Sequence, residues 1–179
     1  MEKEYEPTIE IAGAGNMEVE SLKIQKDQAK RLKMRFKNLT DFGAKGITTV
    51  LGNLPSLNLL YLDFTGCTEF GDNGLKQILP VIEKLATLRE IKLVISESDE
   101  SKNDGLKLIG ASLAKIANLK EINITYSPNP HINDEAVTEC VTSISKLPNL
   151  EKLHLGFYGT KISIKCLELV KQIINENVK

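Results

Sequence analysis

The stretch Leu57-Asn58-Leu59-Leu60-Tyr61-Leu62-Asp63-Phe64 decides the fold, because its apolar template returns at a fixed distance. Leu57, Leu60, Leu62 and Phe64 are followed 31 residues later by Leu88, Ile91, Leu93 and Ile95. Two further steps of the same length reach Leu119, Ile122, Ile124 and Tyr126, then Leu150, Leu153, Leu155 and Phe157. Four copies at one period mark a repeat architecture in which each unit is a single supersecondary element. The last three apolar positions of each copy alternate with residues of the other face, the period of a strand with one side buried.

The flanks repeat as well. Upstream lie Leu54-Pro55-Ser56-Leu57, Leu85-Ala86-Thr87-Leu88, Ile116-Ala117-Asn118-Leu119 and Leu147-Pro148-Asn149-Leu150. Downstream lie Asp72-Asn73-Gly74-Leu75, Asp104-Gly105-Leu106 and Asp134-Glu135-Ala136-Val137. Each Asp is expected to cap the helix that starts there, satisfying its free N–H groups. Helical spacing follows in Leu75, Ile78, Leu79, Ile82; in Leu106, Ile109, Leu113, Ile116; and in Val137, Val141, Ile144, Leu147. Pro80 is expected to kink the first of these helices or delay its start.

An earlier copy places Leu32, Met34 and Phe36 on a strand and Ile47, Val50, Leu51 and Leu54 on a helix, at a distance of 28 residues from Met34 to Leu62. The last copy closes with Ile162, Cys166, Leu167, Val170, Ile173 and Ile174, a terminal helix expected to cap the stack. Five strand–helix units thus cover residues 29–179. Residues 1–28 stand outside the repeat. Ile9 and Ile11, then Met17, Val19, Leu22 and Ile24, alternate as strands do, and Gln25–Gln28 supplies a turn. The expectation there is an antiparallel β-hairpin cap.

The pattern resembles the leucine-rich repeat family, in particular the ribonuclease-inhibitor-like subclass, whose long repeats carry a full helix. Phe70-Gly71-Asp72-Asn73-Gly74-Leu75 and Ile132-Asn133-Asp134-Glu135-Ala136 are similar to that subclass's helix-start motif. Thr65, Ser96, Ser127 and Tyr158 stand where the family usually carries Asn or Cys, a departure. The resemblance implies an α/β horseshoe solenoid with parallel strands on a concave face and helices on the convex face. It also implies protein binding, with regulation of a small GTPase or a nuclease known among relatives.

Little in the residues suggests chemistry. With 23 basic and 24 acidic residues among 179, the net charge of −1 exerts no general pull on nucleic acid or acidic membrane. No apolar run is long enough to span a bilayer, and Met1–Glu6 lacks the apolar stretch of a signal peptide. Cys67, Cys140 and Cys166 are an odd set without C-x-x-C spacing, expected to be reduced and buried in a cytoplasmic protein. Ala12-Gly13-Ala14-Gly15 lacks the residues of a dinucleotide or phosphate loop. His131 reads as a loop residue, and His154 has no nucleophile or acid at a fixed spacing. No catalytic residue, cofactor or metal is expected. Ser96, Ser98 and Ser101 lie among acids between strand and helix in what reads as a solvated loop, with its serines as possible kinase sites the alternative.

The useful surface is the set of side chains between the strand leucines, which alternation sends away from the core. One column reads Lys33, Tyr61, Lys92, Asn123, His154 and its neighbour begins Arg35, Asp63, then Thr125 two units on. Arg31 and Arg89 flank them. Tyr61 and Arg89 are the expected anchors, since Tyr and Arg are enriched at hot spots. The reading is a non-enzymatic protein-interaction module, adaptor or assembly subunit, binding through this face. A nucleic-acid contact through the basic strand Lys30–Lys37 is the alternative. Phe157 is expected in the core.

Overall fold

A computed structural model describes residues 7–25, 29–98 and 100–178. Twelve strands and helices alternate: β1 (Thr8–Ala14), α1 (Asn16–Ser21), β2 (Arg31–Phe36), α2 (Ala44–Gly52), β3 (Leu59–Asp63), α3 (Asp72–Ile82), β4 (Glu90–Ile95), α4 (Asn103–Leu113), β5 (Glu121–Tyr126), α5 (Asp134–Ile144), β6 (Lys152–Gly156) and α6 (Ile164–Asn177). The strands form one six-stranded sheet in chain order, β1-β2-β3-β4-β5-β6, with every pairing parallel. Each helix packs beside the helix of the next unit.

The register explains why the period is so strict. Leu32, Leu60, Ile91, Ile122 and Leu153 are successive Cα partners, as are Met34, Leu62, Leu93, Ile124 and Leu155. Each repeat therefore lays its apolar residues beside those of its neighbours, and in the interior units they are fully buried. A single strand–helix unit could not bury both its faces; stacking does it. Phe36, Phe64 and Phe70 continue this core as a stack, with ring centroids 4.8 and 4.0 Å apart.

The units are tied by polar contacts that cross from one repeat to the next. Asp41 Oδ1 accepts the Gly71 and Gly74 N–H groups, each at 2.8 Å, so it caps α3 rather than the turn in which it sits. Asp72 Oδ1 accepts Lys102 N–H at 2.8 Å ahead of α4. Asn103 accepts Asn133 N–H at 3.0 Å, and Asp134 accepts the Ser163 N–H and hydroxyl at 2.7 and 2.6 Å. The expected caps are thus displaced by one unit, and in α4 the role belongs to Asn103, not Asp104. A second rung runs from Thr87 to the Leu57 carbonyl, from Asn118 to Ala86 and from Asn149 to Ala117. This accounts for Thr87, Asn118 and Asn149 before their strand leucines.

Four expectations are corrected. The N-terminal segment is no antiparallel hairpin: β1 runs parallel to β2, with Ile9 beside Leu32 and Ile11 beside Met34, while Met17 and Val19 lie on α1. The parallel pairing extends the apolar ladder by one more unit, so that Ile9 and Ile11 pack against the core. Asn16 ties α1 to the next unit, accepting Thr40 N–H at 3.0 Å. Of the expected turn, positions 26–28 lie outside the described residues, as do positions 1–6.

α3 begins at Asp72 and continues through Pro80, which sits in its last turn on the exposed side, so its start is not delayed. Ser96, Ser98 and Ser101 are buried, not exposed: Ser98 donates to the Phe70 carbonyl at 2.6 Å and Ser101 Oγ lies 2.8 Å from the Tyr126 hydroxyl. Buried polar groups need partners, and the Ser98 and Ser101 hydroxyls pair with the Phe70 carbonyl and the Tyr126 phenol. Phe157 is half-buried, because α6 buries only Cys166 and Val170 and leaves the outer side of β6 open.

Candidate functional site

The sheet face opposite the helices carries a continuous array of side chains. Glu10, Lys33, Tyr61, Lys92, Asn123 and His154 are successive register partners across all six strands. The next column reads Ala12, Arg35, Asp63, Val94, Thr125, Gly156, and the preceding one Thr8, Arg31, Leu59, Glu90, Glu121, Lys152. In-register strands place these groups at adjacent-strand distances, about 4.8 Å per strand.

At the centre stands Tyr61. Its hydroxyl donates to Asp63 Oδ2 at 2.7 Å, while the Arg35 guanidinium and the Lys92 ammonium lie 5.5 and 5.0 Å from its ring centroid. Both distances are within cation–π range. Asp63 Oδ1 accepts the Thr65 N–H at 3.0 Å and the Thr65 hydroxyl at 2.6 Å, and Arg35 Nε is 3.9 Å from Oδ2, the oxygen that takes the Tyr61 hydroxyl. Burial alone would push the Asp63 carboxyl up, but the hydrogen bonds from Thr65 and Tyr61 outweigh it and hold the group below its ordinary value. Burial, followed by the bond to Asp63, raises the Tyr61 phenol, which stays neutral and donates.

Of the candidates, Arg35, Tyr61, Asp63 and Lys92 come together in this cluster. Lys33 is next to it but is paired with Glu10 at 2.6 Å. Asn123 and Thr125 continue the face with a 3.5 Å contact between their side chains, and His154 Nε2 lies 3.9 Å from Glu121 Oε1. Arg31 and Arg89 are set apart at the strand starts, Arg89 in a shallow groove with Glu90, Lys120, Glu121, Glu151 and Lys152. Glu10 and Thr65 are neighbours of this candidate cluster that were not among the sequence candidates. The alternation of Ile9 and Ile11 around Glu10 was the available signal for the first.

The remaining candidates stay apart. Of the Ala12–Gly15 segment, Ala12, Gly13 and Ala14 end β1, with Gly13 at a φ of +75°, and Gly15 leads into the six-residue α1. All three cysteines are free and buried, and burial pushes the Cys140 thiol up to about 12. Among the described residues, no three His, Cys, Asp or Glu side chains are grouped as metal ligands, and no helix is long and apolar enough to cross a membrane. No family model matches the chain, and no curated protein matches its sequence.

Proposed function

We propose that this chain is a leucine-rich-repeat protein of the ribonuclease-inhibitor-like kind, a horseshoe whose concave strand face binds a partner protein without catalysing a reaction. The observation that carries the reading is Tyr61, an aromatic ring held by Asp63 and flanked by two cations on an open sheet. Fixing the ring before binding reduces the side-chain entropy lost on contact. Lys92 has no carboxylate within ion-pair reach among the described residues, so the site favours a partner that brings an acidic group beside the ring. Six strands give a face about 24 Å across, wide enough for a helix or a loop.

The alternative reading, nucleic acid on the basic strand, is disfavoured. Lys33 is paired with Glu10 and Arg35 lies against Asp63, which reduces the charge the strand has to displace counterions.

Affinity capture with the intact chain tests the proposal when run beside Tyr61→Ala, Lys92→Glu and a helix-side control, Lys115→Glu. Partners retained by the control and lost from both face variants are expected. Partners retained equally by all four proteins would overturn it.

A further inference from the structure

Tyr61 has a lysine on each side of it in its column. Lys33 on β2 and Lys92 on β4 are its two register partners, so two strand spacings, about 9.6 Å, separate them. The two lysines are not equivalent. Lys33 Nζ lies 2.6 Å from Glu10 Oε1, because β1 pairs parallel with β2 and sets Glu10 directly beside Lys33. On the far side of Lys92 the register partner is Asn123, which carries no charge. Neither Glu90, two residues back on β4, nor any other carboxylate is within ion-pair reach of Lys92 among the described residues.

The third cation of the cluster, Arg35, lies 3.9 Å from Asp63. Three cations and two carboxylates leave one positive charge over, and the register places it at Lys92. The hydrogen bond from Lys33 holds the Glu10 carboxyl below its ordinary value, so the carboxylate is charged at neutral pH.

We propose, on the reading of the strand face as a docking surface, that Glu10 sets the charge of the partner. By occupying Lys33 it tunes the Tyr61 site to a protein segment that brings one isolated acidic side chain, to Lys92, and disfavours segments that bring two. A second acid on the Lys33 side of the ring would have to displace Glu10 or lie beside it, and like charges brought together suppress the wrong partner.

The Glu10–Lys33 pair is poorly placed to serve the fold instead. Its side chains are 61% and 37% exposed, and a pair so open to water adds little to stability. β1 is already held by its register with β2 and by Ile9 and Ile11 packed against the core. Glu10→Gln should therefore keep the parent's circular dichroism.

A displayed library of random peptides about 15 residues long, enough for a marginal helix, supplies the probe. It is selected in parallel on the parent chain, Glu10→Gln, Lys92→Glu and Tyr61→Ala. Peptides retained by the parent and lost from Tyr61→Ala report the docking site. If there are none, the docking reading fails and the role of Glu10 fails with it. Among such peptides, those from the parent are expected to share one acidic position, those from Glu10→Gln two, and those from Lys92→Glu none.

Titration then gives the size of the effect. A two-acid peptide should bind Glu10→Gln about two- to fivefold more tightly than the parent, the scale of an exposed ion pair. A one-acid peptide should change by less than about twofold, since Lys33 lies about a Debye length from Lys92. Tyr61-dependent peptides that already share two acidic positions on the parent overturn the role of Glu10 and leave the docking reading standing. So does a two-acid peptide that binds parent and Glu10→Gln equally.

Discussion

The carboxylate of Asp72 occupies the space that a side chain on Gly105 would need, although the two residues belong to different repeats. A Cβ built on Gly105 collides with Asp72 Oδ1, the atom that accepts Lys102 N–H, and the Gly105 N–H is directed at the same carboxylate. Asp41 and Gly74 repeat the relationship, with a Cβ on Gly74 falling 2.7 Å from Asp41 Oδ1. The Asp and the Gly of the helix-start motif thus serve different neighbours. The Asp reaches forward to cap the next helix, and the Gly makes room for the Asp behind it. At α5 the cap comes from Asn133 itself, which accepts Ala136 N–H at 3.1 Å, and there an alanine stands in the glycine's place.

This coupling has a thermodynamic signature. Gly105→Ala alone should destabilise by about 1–3 kcal/mol through overpacking. Asp72→Ala alone should cost about 1–3 kcal/mol through the N–H groups it leaves without an acceptor. In the Asp72→Ala background the collision with the carboxylate is gone and only Leu75 Cδ1, 2.9 Å from the added Cβ, has to give, so Gly105→Ala costs less than in the parent, helped by alanine's preference for the helix. Urea denaturation of the four proteins should show a coupling of about 1 kcal/mol or more, whereas independent sites would add.

Burial along the stack sets the cost of core truncation. Leu93 is fully buried in the middle of the sheet, and Leu155 at the β6 end is half-buried. Leu93→Ala should cost about 2–5 kcal/mol. Leu155→Ala should cost about 1 kcal/mol, in proportion to the smaller area it removes from water. Thermal or urea unfolding of the two variants decides the order.

Asp63 should leave a trace in the acid limb of stability. Its carboxyl is held below the ordinary value in the folded chain, so its contribution is complete above the unfolded value, about 3.9, and is lost as pH falls through the lower folded value. Asp63→Asn should remove that contribution and flatten the pH dependence below about pH 4. Unfolding free energies of parent and variant at a series of acidic pH values check the sign.

The thiols report integrity of the fold. Cys67, Cys140 and Cys166 are buried, and burial raises all three thiols above their ordinary value. Since the thiolate is the reactive form, a thiol reagent at neutral pH should modify none of them rapidly in the native chain and all three after denaturation. Cys140, pushed up to about 12, should be the slowest.

The repeat and its strand register were legible because both are periodic. Leu60, Ile91, Ile122 and Leu153 are 31 residues apart and become neighbours in the sheet. The first unit was misread because Met17 and Val19 satisfy strand alternation as well as a short helix does, and so short a segment does not separate the two periods. The capping contacts escaped notice because Asp41 meets Gly71 across 30 residues, beyond the reach of any local motif. The buried serines looked exposed because acidic neighbours surround them in sequence, while Tyr126 and Phe70 surround them in space. On the sheet face, alternation located Tyr61, Asp63 and Lys92 but could not show that Glu10 neutralises Lys33 or that Thr65 braces Asp63.

We propose that partners dock on the strand face around Tyr61. Amine acetylation of the lysines, read by mass spectrometry with and without a captured partner, tests it most directly. Lys92, 5.0 Å from the Tyr61 ring, should be protected by the partner, while Lys115, paired with Glu83 on the helix side, should react equally in both states. Protection of Lys115 with Lys92 unchanged would contradict the account.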